Sequence, residues 1–233
     1  MTQPELRDQD LGHIKPSKID LPSYDDPMTE SAWNPEGNIF LDEISPLLAE
    51  TPPTWIQKVL ENFDLFLLDH ASCERKAASV CLSFISRHSE YPAIAEPLTA
   101  LAREELDHFA QVYRLIQSRG LTLSYDEPDL YVKQLFAQMR HGADDRLLDR
   151  LVISGIIEAR GHERFTLVAT ALEDPTLKNF YQTLARSEAG HYRVFIRIAE
   201  KIFGHEPVRA AVERFVQLEK EIMLGLPLRP AVH

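Results

Sequence analysis

Cysteine is scarce in this chain: only Cys73 and Cys81 occur among 233 residues. They stand eight positions apart in one predicted helix, which places them too far apart for disulfide geometry. Two such cysteines also fall short of the set that holds an iron–sulfur cluster. We therefore expect both to be reduced residues, in the core or near a site, of a cytoplasmic protein.

Long apolar runs and cofactor-binding glycine loops are also missing. No apolar stretch approaches the 18 residues that predict a transmembrane helix. The first residues, Met1 to Glu5, lack the basic and then apolar organisation of a signal peptide. Because there is no Rossmann fingerprint, any reducing equivalents must come from a separate reductase. No membrane partner is expected.

Basic residues are outnumbered, since 25 Lys and Arg face 36 Asp and Glu, for a net charge of −11. This balance argues against a strong general attraction to nucleic acid, although local patches govern encounters. The hydrophobic share of 44% and charged share of 26% are typical of a soluble globular protein with one sizeable core.

What the chain does carry is one arrangement of carboxylates and imidazoles that occurs twice. Glu74 is followed 31 residues later by Glu105-Leu-Asp-His108, and Glu158 is followed 30 residues later by Glu188-Ala-Gly-His191. Composition alone predicts about one Glu-x-x-His match, so the conjunction with the two solitary Glu carries the signal. This is the ligand inventory of a di-iron or di-manganese carboxylate site in a four-helix bundle.

Each of these four Glu lies in a helical stripe that should face the core. Residues at i±3, i±4 and i±7 share a helical face, and around Glu105 they are mostly apolar. A buried carboxylate is costly unless it is paired, hydrogen-bonded or bound to a metal. Four buried Glu, two of which are followed by a His one helical turn later, favour a dinuclear metal site over four core residues that only make hydrogen bonds. The candidate metal-binding and catalytic residues are Glu74, Glu105, His108, Glu158, Glu188 and His191.

The two halves divide these ligands between two ions. One ion is expected to take mainly Glu74, Glu105 and His108, and the other mainly Glu158, Glu188 and His191. The bridging pair remains open between Glu105 with Glu188 and Glu105 with Glu158. Two ferrous ions held this way, with open positions, can together deliver two electrons to dioxygen.

Several neighbours are candidates for supporting roles. His162 and His70 stand four positions from a candidate ligand, and each is either a further ligand or a core histidine that supports one. Metal-bound His usually donates its other N–H to a carboxylate, for which Glu104 or Asp107 is available. Tyr181, on the face of Glu188, is expected to be aromatic core packing rather than a redox group.

The pattern predicts an all-α, ferritin-like four-helix bundle with a long connection between the second and third core helices plus peripheral helices. An irregular arm is expected over residues 1–50, the bundle over residues 51–225 and a tail over residues 226–233.

Capping signals predict the helix ends. The first helix begins at Pro52-Pro53-Thr54 and breaks at Asn62, and Asp144 or Asp145 caps the third. Asp174 caps the fourth, which stops at Gly204. The remaining expected boundaries are a first helix to about Arg87, a second to Arg119, a short one near 129–140 and a last one over 207–224.

Four segments resemble the motifs of the bacterial tRNA hydroxylases of the ferritin-like superfamily. They are residues 69–78, 103–109, 158–165 and 187–192, within a resemblance that spans residues 37–225. The resemblance implies hydroxylation of the isopentenyl side chain of methylthio-isopentenyl-adenosine beside the anticodon. It also implies two Fe ions as a di-iron centre held by the same six ligands, with dioxygen as co-substrate. His162 departs from the smaller or sulfur-bearing side chain expected there.

The resemblance also implies that the anticodon loop of tRNA is the binding partner. Six basic residues near the long connection are candidates for contacts with phosphates: Arg119, Lys133, Arg140, His141, Arg146 and Arg150. Two alternatives share the metal pattern. One is a ferritin-like iron-storage or detoxification protein, which should assemble into a cage, and the other is a di-iron oxidase of a small lipid, aldehyde or quinone.

Overall fold

The structure is a computed structural model that describes residues 46–123 and 126–233. Most of the predicted N-terminal arm, residues 1–45, lies outside the described residues. Within the described ranges the chain forms eight α-helices and no β-strand. They are α1 (Pro53–Glu61), α2 (Phe63–Arg87), α3 (Pro92–Ser118), α4 (Leu130–Phe136), α5 (Ala143–Ala171), α6 (Pro175–Glu188), α7 (His191–Phe203) and α8 (His205–Gly225). The predicted all-α class is confirmed.

Two helical hairpins build the bundle. Helix α2 packs along α3, and α5 packs along α6 and α7. The hairpins meet where α3 contacts α7, while α4 and α8 lie outside and pack on each other and on α5. The short helix α4 belongs to the long connection between α3 and α5, as the ferritin-like prediction requires.

A polar layer divides the apolar core into two clusters. Helix α2 gives Phe66 and Leu67 to one cluster and Phe84 to the other, with Glu74 between them. Helix α3 likewise gives Leu101 to one cluster and Val112 to the other, with Glu105 and His108 between. The candidate ligands therefore occupy the middle of the bundle, and apolar side chains close both ends of the layer.

Most predicted helix ends agree with the structure. The break at Asn62 separates α1 from α2, and the Asp174 carboxylate accepts a 2.9 Å hydrogen bond from the Leu177 amide at the start of α6. The predicted cap of the third helix was wrong. Gly142, with φ of 107°, is the N-cap of α5, and both aspartates lie in the first turn, where their charge favours the helix dipole.

The fourth core helix is interrupted, contrary to the prediction. Helix α6 ends at Glu188 and α7 begins at His191, so the break falls inside the Glu-x-x-His segment. The Arg193 amide bonds the Gly190 carbonyl at 3.1 Å, a tighter i→i−3 turn. Glycine is a poor helix former, so the break is cheap at this position.

Close approach of α5 to α7 depends on a second glycine. A Cβ atom at Gly155 would lie 3.1 Å from the Tyr192 ring and 3.2 Å from the Tyr192 carbonyl oxygen. Three residues before Glu158, this glycine brings the backbone of α5 against the helix that carries His191.

The outer face of α5 carries a buried ionic network. The Arg160 guanidinium, fully buried, donates to Glu219 on α8 at 2.8 and 3.0 Å and to Glu163 at 2.6 Å. Residues 226–233 form no helix, yet Arg164 donates to the Val232 carbonyl at 2.7 Å and so fixes this segment to the bundle. Among the described residues, no helix has the length and apolar character needed to cross a membrane.

Candidate metal centre

The four core helices bring all six predicted residues together in the polar layer. Glu74 comes from α2, Glu105 and His108 from α3, Glu158 from α5, and the Glu188–His191 pair from α6 and α7. Their side chains are at most 6% exposed, except that of Glu158, which is 13% exposed. The ligand atoms form two groups, each within 4.8 Å of one another, and these groups are Glu74, Glu105, His108, Glu188 and Glu105, Glu158, Glu188, His191.

Glu105 and Glu188 belong to both groups. One oxygen of Glu188 lies 2.9 Å from His108 Nδ1 and the other lies 2.8 Å from His191 Nδ1. Glu105 likewise directs Oε1 to His191 Nδ1, at 2.9 Å, and Oε2 to His108 Nδ1, at 3.9 Å. Each carboxylate therefore spans the two imidazoles, which is the geometry of a bridge between two ions.

Glu74 and Glu158 each belong to a single group. Glu74 Oε2 lies 3.6 Å from His108 Nδ1, and Glu158 Oε2 lies 3.9 Å from His191 Nδ1. Each imidazole thus has one carboxylate of its own beside the two shared ones. This arrangement is that of terminal ligands at either end of a dinuclear centre.

The donor set fits divalent ions better than it fits a hydrogen-bonded core. Among the described residues, Glu105 Oε1, Glu188 Oε1, His108 Nδ1 and both ring nitrogens of His191 are buried and make no well-aligned hydrogen bond. Buried polar atoms without partners are costly and uncommon. Ions shared by these nitrogens and oxygens would satisfy them, and carboxylate with imidazole suits iron or manganese.

The electrostatics of the layer point the same way. Burial, followed by repulsion from Glu105, raises the pKa of Glu158 to about 7. Burial opposes charge on His108, but the nearby Glu188 and Glu74 carboxylates outweigh it and raise the pKa of His108 to about 10. Burial likewise opposes charge on Glu188, yet His191 and His108 lower its pKa to about 2. Without metal, imidazole protons supply the positive charge that the carboxylates require, and a bound cation would replace them.

A short bridge on α3 and α6 supports the outer nitrogens of both imidazoles. His108 Nε2 donates to Ser187 Oγ at 3.1 Å, and this hydroxyl donates a short hydrogen bond to Glu104. Glu104 Oε2 lies 3.4 Å from His191 Nε2. Glu104, predicted as a partner for a metal-bound His, thus lies near His191 directly and is linked to His108 through Ser187. Asp107 is exposed. Ser187 was missed, because an ordinary serine carries no signal of its own in the spacing.

The two additional histidines lie outside both ligand groups. His162 Nδ1 donates to the Ala185 carbonyl at 2.8 Å and so ties α5 to α6. His70 lies 2.6 Å from the Glu74 carboxylate and 3.1 Å from the Tyr181 hydroxyl. Cys81 is a buried free thiol whose pKa is raised by burial and then by the nearby Glu158.

The six basic residues predicted for phosphate contacts are not equivalent. Arg119 is paired with Asp64 at 2.6 Å. Arg140 is paired with Asp145 and with a buried aspartate, Asp149. Arg150 lies over the Phe84 ring at 4.3 Å and donates to Ser83 Oγ. The other three, Lys133, His141 and Arg146, are exposed.

Arg87, a basic residue that the sequence analysis did not select, lies near Arg150 where the end of α2 meets the start of α5. Burial, then repulsion from Arg87 and Arg146, lowers the pKa of Arg150. Arg87 and Arg146 have no ion pair within residues 46–123 and 126–233. We call Arg87, Arg146 and Arg150 the junction arginines. Arg87 was missed because nothing in the sequence shows that the end of α2 meets the start of α5.

Several known proteins are similar to this chain in sequence or in fold. The family model described as tRNA-(MS[2]IO[6]A)-hydroxylase (MiaE) matches residues 14–233. The tRNA 2-(methylsulfanyl)-N(6)-isopentenyladenosine(37) hydroxylase of Pseudomonas putida is 35% identical over 173 residues, covering 74% of this chain and 84% of that protein. The protein of the same name from Salmonella typhimurium is 29% identical, covering 78% and 86%.

A solved structure adds a second comparison. Protein 43 with aldehyde deformylating oxygenase activity, from Synechococcus, has a TM-score of 0.75 and 36% identity, covering 79% of this chain and 92% of that chain. Its match supports the ferritin-like bundle. With a family model that covers nearly the whole sequence, this chain belongs to the tRNA-(MS[2]IO[6]A)-hydroxylase (MiaE) family.

Proposed function

We propose that this protein is a cytoplasmic non-haem di-iron monooxygenase that hydroxylates the isopentenyl side chain of methylthio-isopentenyl-adenosine in tRNA. One observation supports the proposal most directly: Glu105 and Glu188 each direct their two oxygens toward both His108 and His191. The chain that carries this arrangement also belongs to the hydroxylase family. One C–H bond becomes C–OH and the second oxygen atom of dioxygen leaves as water. A separate reductase supplies the two electrons, and two protons complete the balance.

Each residue of the polar layer has a defined part. Glu105 and Glu188 would bridge the ions, and the terminal ligands would be Glu74 with His108 and Glu158 with His191. A ferrous pair held there supplies the oxidising chemistry once dioxygen is reduced. Ser187 accepts a hydrogen bond from His108 Nε2, and Glu104 lies near His191 Nε2. These contacts fix the orientations of the two imidazoles and leave both Nδ1 atoms for the metal. The apolar clusters on either side of the layer would keep water away from the ions.

The reaction is tested by nucleoside mass spectrometry of hypomodified tRNA incubated with iron-loaded protein, an electron donor and dioxygen. Isotopically heavy dioxygen should place one heavy oxygen atom in the modified adenosine. Glu105→Gln should abolish the product because it removes a shared carboxylate while keeping the volume. Ser187→Ala should retain partial turnover. An unlabelled product, or full turnover by Glu105→Gln, would contradict the proposal.

The aldehyde alternative stays open because of the Synechococcus protein, whose stated activity is aldehyde deformylation. If this chain acts on aldehydes, a long-chain aldehyde should be consumed with loss of its terminal carbon, under the same electron and dioxygen supply. Running both substrates in parallel decides between the two reactions. Turnover of aldehyde with no change in tRNA would favour the alternative.

For tRNA docking we propose that the junction arginines contact phosphates. Arg87 and Arg146 are exposed and lack carboxylate partners in the described parts of the chain. Arg119 and Arg140, in contrast, already carry aspartates. An anticodon-loop base, already partly unstacked, would leave the stack and place its side chain near the ions.

The docking proposal is tested with the double variant Arg87→Ala/Arg146→Ala. It should raise the Michaelis constant for tRNA and reduce the salt dependence of binding by roughly two phosphate contacts. Hydroxylation of the isolated modified nucleoside should be unchanged. The matched control is Arg119→Ala, which should leave tRNA binding near wild type. Equal losses in the two variants would place the phosphate contacts elsewhere.

A further inference from the structure

Tyr181 and His70, two buried residues outside the six candidate ligands, form a line of hydrogen bonds that ends at the Glu74 carboxylate. His70 Nε2 lies 2.6 Å from Glu74 Oε1, and His70 Nδ1 lies 3.1 Å from the Tyr181 hydroxyl. Both side chains are completely buried. They come from α2 and α6, so the line connects the two hairpins beside the polar layer.

The chemistry of the three groups sets the direction of both hydrogen bonds. A metal-bound Glu74 is ionised and can only accept, so His70 must donate its Nε2–H. Nδ1 then carries a lone pair, and the Tyr181 O–H donates to it. Every proton in the line has one acceptor, and Glu74 Oε1 faces His70. Glu74 Oε2 lies 3.6 Å from His108 Nδ1 and is therefore the oxygen better placed for an ion.

Aromatic packing holds the line in place. The His70 ring centroid lies 4.5 Å from that of Phe165, 5.6 Å from that of Tyr181 and 6.0 Å from that of Phe66. These contacts leave the imidazole little freedom to turn away from Glu74.

Within residues 46–123 and 126–233, Glu158, the counterpart of Glu74 in the other hairpin, has no such support. Four residues before it stands Ser154, whose buried hydroxyl makes no hydrogen bond in the described part of the chain. Four residues after it stands His162, which bonds the Ala185 carbonyl instead. The two ends of the centre therefore differ, although the ligand types are the same.

We propose that His70 and Tyr181 are positioning residues that hold Glu74 as a one-oxygen ligand of the ion it shares with His108. The ion at Glu158 and His191 lacks this support, so its terminal carboxylate is the one free to reorient. This inference rests on the proposed dinuclear centre and adds an asymmetry to it.

The test is an anaerobic titration of the metal-free protein with Co(II), followed by visible absorption. Wild-type protein should bind two Co(II) ions. Tyr181→Phe should bind one ion as wild type does and the other about 10-fold to 100-fold more weakly, the usual effect of losing a partner behind a ligand. His70→Leu should act at the same site, and His70→Gln, which keeps an N–H donor toward Glu74, should restore much of the affinity.

Tyr131→Phe is the matched control, because it removes another buried phenol hydroxyl, one that donates to Glu219 at 3.1 Å away from the metal layer. It should leave both Co(II) affinities unchanged. The inference is overturned if Tyr181→Phe binds both ions as wild type does, or weakens both equally. If wild-type protein itself binds fewer than two ions, the dinuclear centre fails together with the inference.

Discussion

Removing the Glu158 carboxylate should stabilise the metal-free protein while it destroys activity. Burial and repulsion from Glu105 raise the pKa of Glu158 from its ordinary 4.5 to about 7. Each pKa unit corresponds to about 1.4 kcal/mol, so ionising this group in the folded apoprotein is about 3 kcal/mol less favourable than in the unfolded chain. Glu158→Gln avoids that penalty and keeps the side-chain volume.

The gain should depend on pH in a defined direction. Because the folded-state pKa is raised, the penalty is absent below the unfolded pKa of 4.5 and grows as pH rises through 7. At pH 5 the variant should exceed wild type by less than about 1 kcal/mol, and at pH 8 by about 3 kcal/mol. Urea unfolding followed by circular dichroism, with a chelator present, measures both differences.

Two comparisons make the test decisive. Glu163→Gln, on the same helix, loses the ion pair with Arg160 and one of the two hydrogen bonds from Thr51, so it should destabilise the apoprotein. Adding Co(II) should reverse the order of wild type and Glu158→Gln, since a ligand that binds the native state stabilises it. A wild-type apoprotein more stable than Glu158→Gln at pH 8, or a difference independent of pH, would refute the electrostatic reasoning.

Three further predictions concern stability, and urea unfolding measures each. Burial opposes charge on Asp129, but its bond with His233 lowers its pKa from 3.8 to about 2. Asp129→Asn should therefore remove about 2 kcal/mol of stability, which the wild type holds above pH 5 and loses as pH falls through 2. A difference that persists unchanged in acid would contradict this. Arg160→Met or Glu219→Gln alone should cost about 3–5 kcal/mol, and the double variant clearly less than the sum. Asp174→Ala should cost about 1 kcal/mol through loss of the α6 cap.

The sequence was sufficient for the class of fold and for the residues of the polar layer. Helical periodicity is local, so a face can be read from spacings of three and four residues. The Glu-x-x-His pairs and the two solitary Glu lie on such faces, and the described helices bring them together. Asn62 and Asp174 were equally readable, because a break or a cap depends on a few adjacent residues. The cap at Gly142 and the break near Gly190 were missed, since a glycine ends or starts a helix according to its surroundings.

Only the tertiary structure decided which groups meet across helices. Glu188, rather than Glu158, joins Glu105 as the second shared carboxylate, because the oxygens of Glu188 lie within 2.9 Å of both imidazoles. His70 and Tyr181 stand 111 residues apart, and no periodicity relates them. The pairing of Arg140, and the solitary state of Arg146, likewise depend on how the helices pack. Spacing along one helix is determined by its own backbone, whereas contacts between helices arise from packing of the whole core.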